Sequence, residues 1–216
     1  MSLIVEDLQV HAGRFSLPSI SFTIPTGQCG VLMGPSGSGK TTLMEALCGL
    51  RKVSAGRIEL GGRRIDTLRP GARRMGLVPQ DTVLFPHLKV RDHLAFGPQL
   101  QGWTSSDIAS RVDELARALH IFELLDRKPK GLSGGEAKRV AIGRAIAGKP
   151  QLLCLDEALT GLDEETHQAT MGVLQQVIKE EEITTLYITH RADEASQVGD
   201  VMINWLVAGW KDDDEK

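Results

Sequence analysis

The sequence predicts an α/β protein with a parallel sheet at its core, on three observations. A short apolar run, Gly30-Val31-Leu32-Met33, flows into a glycine-rich stretch and then a helix, which is strand, loop and helix in succession. Two further apolar runs, Leu152–Leu155 and Thr184–Thr189, flank a helical stretch from about Glu164 to Glu180, and strand, helix, strand is the arrangement of a parallel crossover. The 216 residues are 41% hydrophobic and 25% charged with a mean hydropathy of −0.12, a globular composition with length enough for a full core and unlike that of collagen, coiled coil or mucin.

In chain order, the first third is strand-like. Ile20-Ser21-Phe22-Thr23-Ile24 alternates apolar and polar residues before the turn Pro25-Thr26-Gly27, Arg57-Ile58-Glu59-Leu60 ends at Gly61-Gly62, and Met75-Gly76-Leu77-Val78 ends at Pro79; each is a strand closed by a turn signal. From about residue 104 the period becomes helical: Thr104 with Asp107 resembles a capping box, followed by Ile108, Val112, Leu115 and Leu119. Leu132-Ser133-Gly134-Gly135-Glu136 opens another helix, with Val140, Ile142 and Ile146 on its apolar side. No repeat or low-complexity linker divides the chain, and the charged end, 208–216, is expected to be solvated.

Lys and Arg number 25 against 28 Asp and Glu, a net charge of −3, so no basic field is available for nucleic acid and none is expected as a partner. No basic segment followed by an apolar run opens the chain, and a secretory signal is not expected. The most apolar long stretch, Val201–Trp210, is about ten residues and holds Asn204, against roughly 20 for a spanning helix. Cys29, Cys48 and Cys154, odd in number and far apart in apolar contexts, are expected to be reduced packing residues.

The chemistry is concentrated in three motifs. Gly34-Pro35-Ser36-Gly37-Ser38-Gly39-Lys40-Thr41, followed by Thr42, fits the P-loop pattern. Its glycines let backbone N–H groups curl round a polyphosphate, the helix N-terminus adds partial positive charge, Lys40 reaches the β/γ-phosphates and Thr41 is placed for Mg²⁺. The strand ending Asp156-Glu157 delivers one carboxylate to the metal and a neighbour that can polarise water for in-line attack on a γ-phosphate. Ser133-Gly134-Gly135 forms a second helix N-terminus suited to an anion, although taken alone it is also an ordinary Ser/Gly cap.

In that order, the P-loop, Leu132-Ser133-Gly134-Gly135-Glu136 and Leu152-Leu153-Cys154-Leu155-Asp156-Glu157 resemble an ABC-type ATPase subunit over roughly residues 1–207. The resemblance implies a P-loop NTPase fold with an N-terminal antiparallel β subdomain, a catalytic core over about 1–80 and 130–207, and a helical lobe over about 81–130. It implies ATP and Mg²⁺ as cofactors and a homodimer that sandwiches ATP between one chain's P-loop and the other's Ser133–Gly135. Three further positions match: Gln80 resembles the glutamine that touches Mg²⁺ and the attacking water, His190 the switch histidine on the γ-phosphate, and Thr160-Gly161-Leu162-Asp163 the loop crossing the dimer interface. His11 and Phe15 are the candidates for stacking on adenine. The stretch Val83–Gly97 is similar to importer ATPases for molybdate, sulfate, polyamines or sugars, which implies a separate membrane permease, an extracytoplasmic solute-binding protein and a location on the cytoplasmic membrane face. The alternatives are a soluble ABC ATPase of DNA repair, cluster assembly or translation, and a lipid or lipoprotein exporter ATPase. Two departures from the family, Ala158 for proline and Thr160-Gly161 for Ser-Ala, are expected to loosen the interface loop while leaving hydrolysis intact.

Overall fold

The computed structural model describes residues 1–13, 15–203 and 205. Its elements are β1 (Leu3–Ala12), β2 (Phe15–Ile24), β3 (Cys29–Met33), α1 (Lys40–Cys48), β4 (Val53–Leu60), β5 (Arg63–Arg64), β6 (Met75–Val78), α2 (Val90–Leu100), α3 (Ser105–Ala118), α4 (Gly134–Ile146), β7 (Leu152–Asp156), α5 (Glu164–Glu180), β8 (Thr185–Thr189), α6 (Ala192–Val198) and β9 (Val201–Ile203). They form an antiparallel sheet in the order β2-β1-β4-β5 and a parallel sheet in the order β6-β7-β8-β3-β9. The expected α/β architecture is therefore present, with its parallel crossover running β7, α5, β8.

The central strands β7 and β8 are buried along their whole length, because both faces of a parallel sheet are covered. Alternation assigns the faces. Leu32, Cys154, Leu186 and Ile188 pack with Leu43 and Leu47 of α1 and with Leu3, Val5 and Ile58 of the antiparallel sheet. Val31, Leu153, Leu155 and Tyr187 pack with Val140 of α4 and Leu174 of α5, and that cluster continues into Leu94, Leu115 and Leu119 of α2, α3 and the turn after it. All three cysteines are buried and unbridged.

Strand β1 is absent from a reading by alternation for a physical reason. Leu3 and Val5 are buried, then Leu8 and Val10, so the inward parity switches at Asp7. The pairing of β1 with β2 and β4 shifts register there, and Asp7 has a φ of 45°. A bulge inserts the extra residue and returns the apolar side chains to one face.

Helix α1 sits between the phosphate loop and a buried cation. Arg73, 3% exposed, donates to the carbonyls of Ala46 (2.7 Å) and Leu47 (2.6 Å) in the last turn of α1, and to Leu68 (3.0 Å) and Asp66 (2.9 Å). The guanidinium thus supplies donors at the negative end of the helix, to Leu47 O and to Ala46 O, which also accepts from Gly49 N. Replacing Arg73 with Met should lower stability by about 3 kcal/mol, because several buried acceptors lose their donor together. Urea unfolding at unchanged m-value measures this; a loss below about 1 kcal/mol would mean that water replaces the guanidinium.

Candidate functional site: a phosphate loop beside paired carboxylates

The loop between β3 and α1 curls where Gly37 (φ 80°) and Gly39 (φ 95°) adopt the left-handed region, which side chains with a Cβ rarely enter. Gly39 is the N-cap of α1 and supplies no side-chain cap, so the first-turn N–H groups stay available to an anion. Lys40 is 6% exposed and folds back on its own loop, donating to Gly34 O (2.7 Å) and Pro35 O (2.8 Å). Burial pushes its ammonium pKa down, against the opposing charges of Glu157 and Asp156. A cavity of about 290 Å³ opens over the loop, lined by Ser36, Gly37, Gly39, Lys40, Thr41 and Thr42 and closed by Ala12, Gln80 and Glu157.

At the end of β7 the two carboxylates have different surroundings. Asp156 is 6% exposed and accepts a hydrogen bond from Thr41 Oγ1 at 2.9 Å. Burial raises its pKa; the Thr41 hydrogen bond opposes this, the Glu157 charge adds to it, and Lys40 opposes it again. Glu157 turns out of the strand at a φ of 45°, is anchored by its N–H to Ile188 O (2.9 Å), and places Oε2 3.4 Å from Nδ1 of the exposed His190. The hydroxyl and buried carboxylate of Thr41 and Asp156, with the Gln80 amide at the cavity wall, are hard oxygen donors that fit Mg²⁺. The Asp156 carboxyl, held above its usual range by burial despite the Lys40 charge, is the electrostatic counterpart of that fit.

The remaining expected residues fall into two groups. Gln80 lines the cavity, and its carbonyl accepts from the buried Lys138 Nζ at 3.0 Å. Ser133, Gly134 and Gly135 do not line it. They stand at the start of α4 against the loop before α5 and the first turn of α5, where ideal Cβ positions on Gly134 and Gly135 meet Leu162 and Thr166. Ser133 Oγ accepts from Glu136 N (3.2 Å) while the Glu136 carboxylate accepts from Ser133 N (2.6 Å), so the cap and the anion-ready terminus are one object, with the serine hydroxyl hydrogen left to donate. Asp163 caps α5 through Thr166 N (3.0 Å), Ala158 is fully buried, and Gly161 has a φ of 85°, a conformation glycine adopts without strain.

His11 is exposed and its Nδ1 pairs with Ser16 Oγ at 2.8 Å; the residue from that strand lining the cavity is its neighbour Ala12. The side chain of Phe15 and the tail 206–216 lie outside the described residues.

Sequence reasoning missed a brace beneath His190. Glu194 accepts from Tyr187 OH (2.9 Å) and Thr189 Oγ1, and pairs with His167 Nε2 at 2.6 Å. Those four residues are buried, and they join α5, β8 and α6 behind the exposed imidazole. Lys138 was also missed; its signal was a lysine at helical spacing with the buried Gly135 and Ile142.

Asp156→Asn separates the buried charge from the hydrogen bond it accepts. A raised folded pKa means that this group's contribution to stability is full below the unfolded pKa and lost as pH rises through the folded one. Asparagine keeps the acceptor for Thr41 and removes the charge. The metal-free variant should therefore melt about 2–4 °C above the wild type at pH 7 and level with it at low pH. A lower melting point at pH 7 would contradict the assigned electrostatics.

The family model described as ABC transporter matches residues 17–160. The molybdate/tungstate import ATP-binding protein WtpC of Thermococcus kodakarensis is 40% identical over 207 residues, 94% of this chain and 63% of its own. The WtpC of Pyrococcus horikoshii is 41% identical over 196 residues, covering 91% and 57%. The sn-glycerol-3-phosphate import ATP-binding protein UgpC of Rhodopseudomonas palustris is 39% identical over 196 residues, covering 90% and 54%. The chain thus spans between half and two-thirds of the length of these relatives. With a family model matched over more than half its residues, the chain belongs to the ABC transporter family.

Proposed function

We propose that this chain binds and hydrolyses ATP to drive a separate membrane permease of an importer, acting as a homodimer with ATP at the interface. The observation that carries the reading is the joining of Thr41, Asp156, Glu157 and His190 at the mouth of the phosphate loop. The import function printed for WtpC and UgpC supports it. Their named cargoes differ at nearly equal identity. No helix among the described residues is long and apolar enough to cross a membrane, which suits a subunit whose permease is a separate chain.

In this reading the α1 N-terminus and Lys40 take the phosphate charge, exchanging the Gly34 and Pro35 carbonyls for phosphate oxygens. Thr41, Asp156 and Gln80 would hold Mg²⁺, which neutralises charge developing on the phosphates. Glu157 accepts a proton from water as the water oxygen bonds to the γ-phosphorus and the bond to the β-phosphate oxygen breaks, leaving ADP and phosphate. His190 holds the Glu157 carboxylate from its outer side. Because Ser133–Gly135 stand away from this cavity, the Ser133 hydroxyl and the Gly134 and Gly135 N–H groups serve the site of a second chain.

The permease contact is assigned to the groove beside β6 and α2, about 600 Å³, lined by Met75, Leu77, Phe85, Phe96, Leu100 and Arg144. Phe96 and Leu100 are exposed there, as is the neighbouring Val83. Arg144 donates to Val83 O (2.9 Å) and Lys138 to Gln80 O, so a displacement of the groove wall reaches Gln80 along one short backbone segment.

Glu157→Gln should keep MgATP binding, turn over at least about 100-fold more slowly and become dimeric with ATP in light scattering. Turnover at the wild-type rate would remove Glu157 from its role. Tagged protein purified from native membranes should bring an integral membrane protein with it; recovery with soluble partners alone would place the chain among the soluble ABC ATPases.

A further inference from the structure

Trp205 lies two residues beyond β9 and belongs to none of the motifs above. Parallel pairing sets Gly30 beside Val201 and Leu32 beside Ile203, a register that, carried two residues further, brings Trp205 to Gly34 at the start of the phosphate loop. The contact is close: a Cβ on Gly34 would stand 2.8 Å from Trp205 Cδ1. The half-buried indole also places Nε1 2.9 Å from Ser38 Oγ.

The direction of that hydrogen bond is determined by chemistry. Indole N–H only donates, so Ser38 Oγ accepts and must send its own hydrogen elsewhere. Pro35 O is 2.8 Å away, and Ser38 N–H points to the same carbonyl at 3.3 Å. Lys40 Nζ is its third donor. When Lys40 turns to phosphate, Pro35 O keeps only the two donors of Ser38, and the hydroxyl among them is aimed by Trp205.

We propose that Trp205 is a positioning residue of the nucleotide site: its ring packs on Gly34 and its N–H orients the Ser38 hydroxyl onto Pro35 O, holding the loop in its phosphate-accepting shape after Lys40 departs. The inference rests on the ATP-binding reading only for its effect on nucleotide affinity. The bracing itself is a property of the nucleotide-free chain.

The test uses the full chain with Trp205→Phe, which keeps a ring and removes the donor, Ser38→Ala, the double variant, and Trp103→Phe as a control for losing a tryptophan elsewhere. Without nucleotide, the Ser38 amide should exchange with deuterium about five- to tenfold faster in Trp205→Phe, the loss of about one hydrogen bond. The double variant should exchange no faster than Ser38→Ala, since both break one relay. With MgATP, the KM and Kd of Trp205→Phe should rise by about the same factor while kcat stays within twofold. Wild-type exchange and wild-type KM in Trp205→Phe would overturn the proposal, as would a loss of kcat with KM unchanged or additive effects in the double variant. If the wild-type chain binds no ATP, the nucleotide reading falls and the affinity part of the proposal falls with it, while the exchange rates still decide the bracing.

Discussion

Because β8 pairs in parallel with both β3 and β7, the segments leaving the C-terminal ends of these strands emerge at one edge of the sheet, and the site is assembled there. From β3 comes the phosphate loop, from β7 the pair Asp156 and Glu157, and from β8 His190. Ligand sites of open α/β sheets gather at this edge for the same reason. The bond between Thr41 and Asp156 joins residues 115 positions apart, and only the strand register makes their meeting possible. The antiparallel sheet adds Ala12 to the cavity wall, while α1 is held from its other end by Arg73.

Buried charge is the second theme, and its sign follows position. Lys40 and Asp156 are both buried near the loop, the ammonium pKa pushed down and the carboxyl pKa pushed up. In the proposed function each is poised against a charge that a metal-bound polyphosphate would bring. Elsewhere the buried charges are fully engaged with structure. Arg111 is shared between Glu181 and the carbonyls at the end of α4, and Glu194 binds three side chains behind His190. Such groups tie helices α3, α5 and α6 to the frame and limit how the exposed imidazole and the C-terminal end of α4 can move relative to it.

What was legible in the sequence was local. The phosphate loop, the Asp156-Glu157 strand end and the Ser133–Gly135 helix start are each written in a few consecutive residues whose geometry is intrinsic: glycines that permit φ > 0, an apolar run ending in acid, a Ser/Gly helix cap. Helix α5 and strands β6 and β7 were legible because their apolar period is unbroken. Strand β1 was not, since the bulge at Asp7 reverses its parity. Neither were the partners made by tertiary approach: Arg73 on the end of α1, Lys138 on Gln80 O and Trp205 on Ser38, the last spanning 167 positions. His11 carries a ring suited to stacking, yet strand alternation turns it toward Ser16 and leaves small Ala12 at the cavity.

In the proposed dimer one working site needs two chains, the phosphate loop of one and the α4 N-terminus of the other. Mixing tests it directly: a chain carrying Lys40→Ala with an equal amount of one carrying Ser133→Arg, each inactive alone. Random pairing makes half the dimers mixed, and each mixed dimer holds one intact loop facing one intact helix start, so about a quarter of wild-type ATP hydrolysis should return. A mixture as silent as its two components would contradict the account.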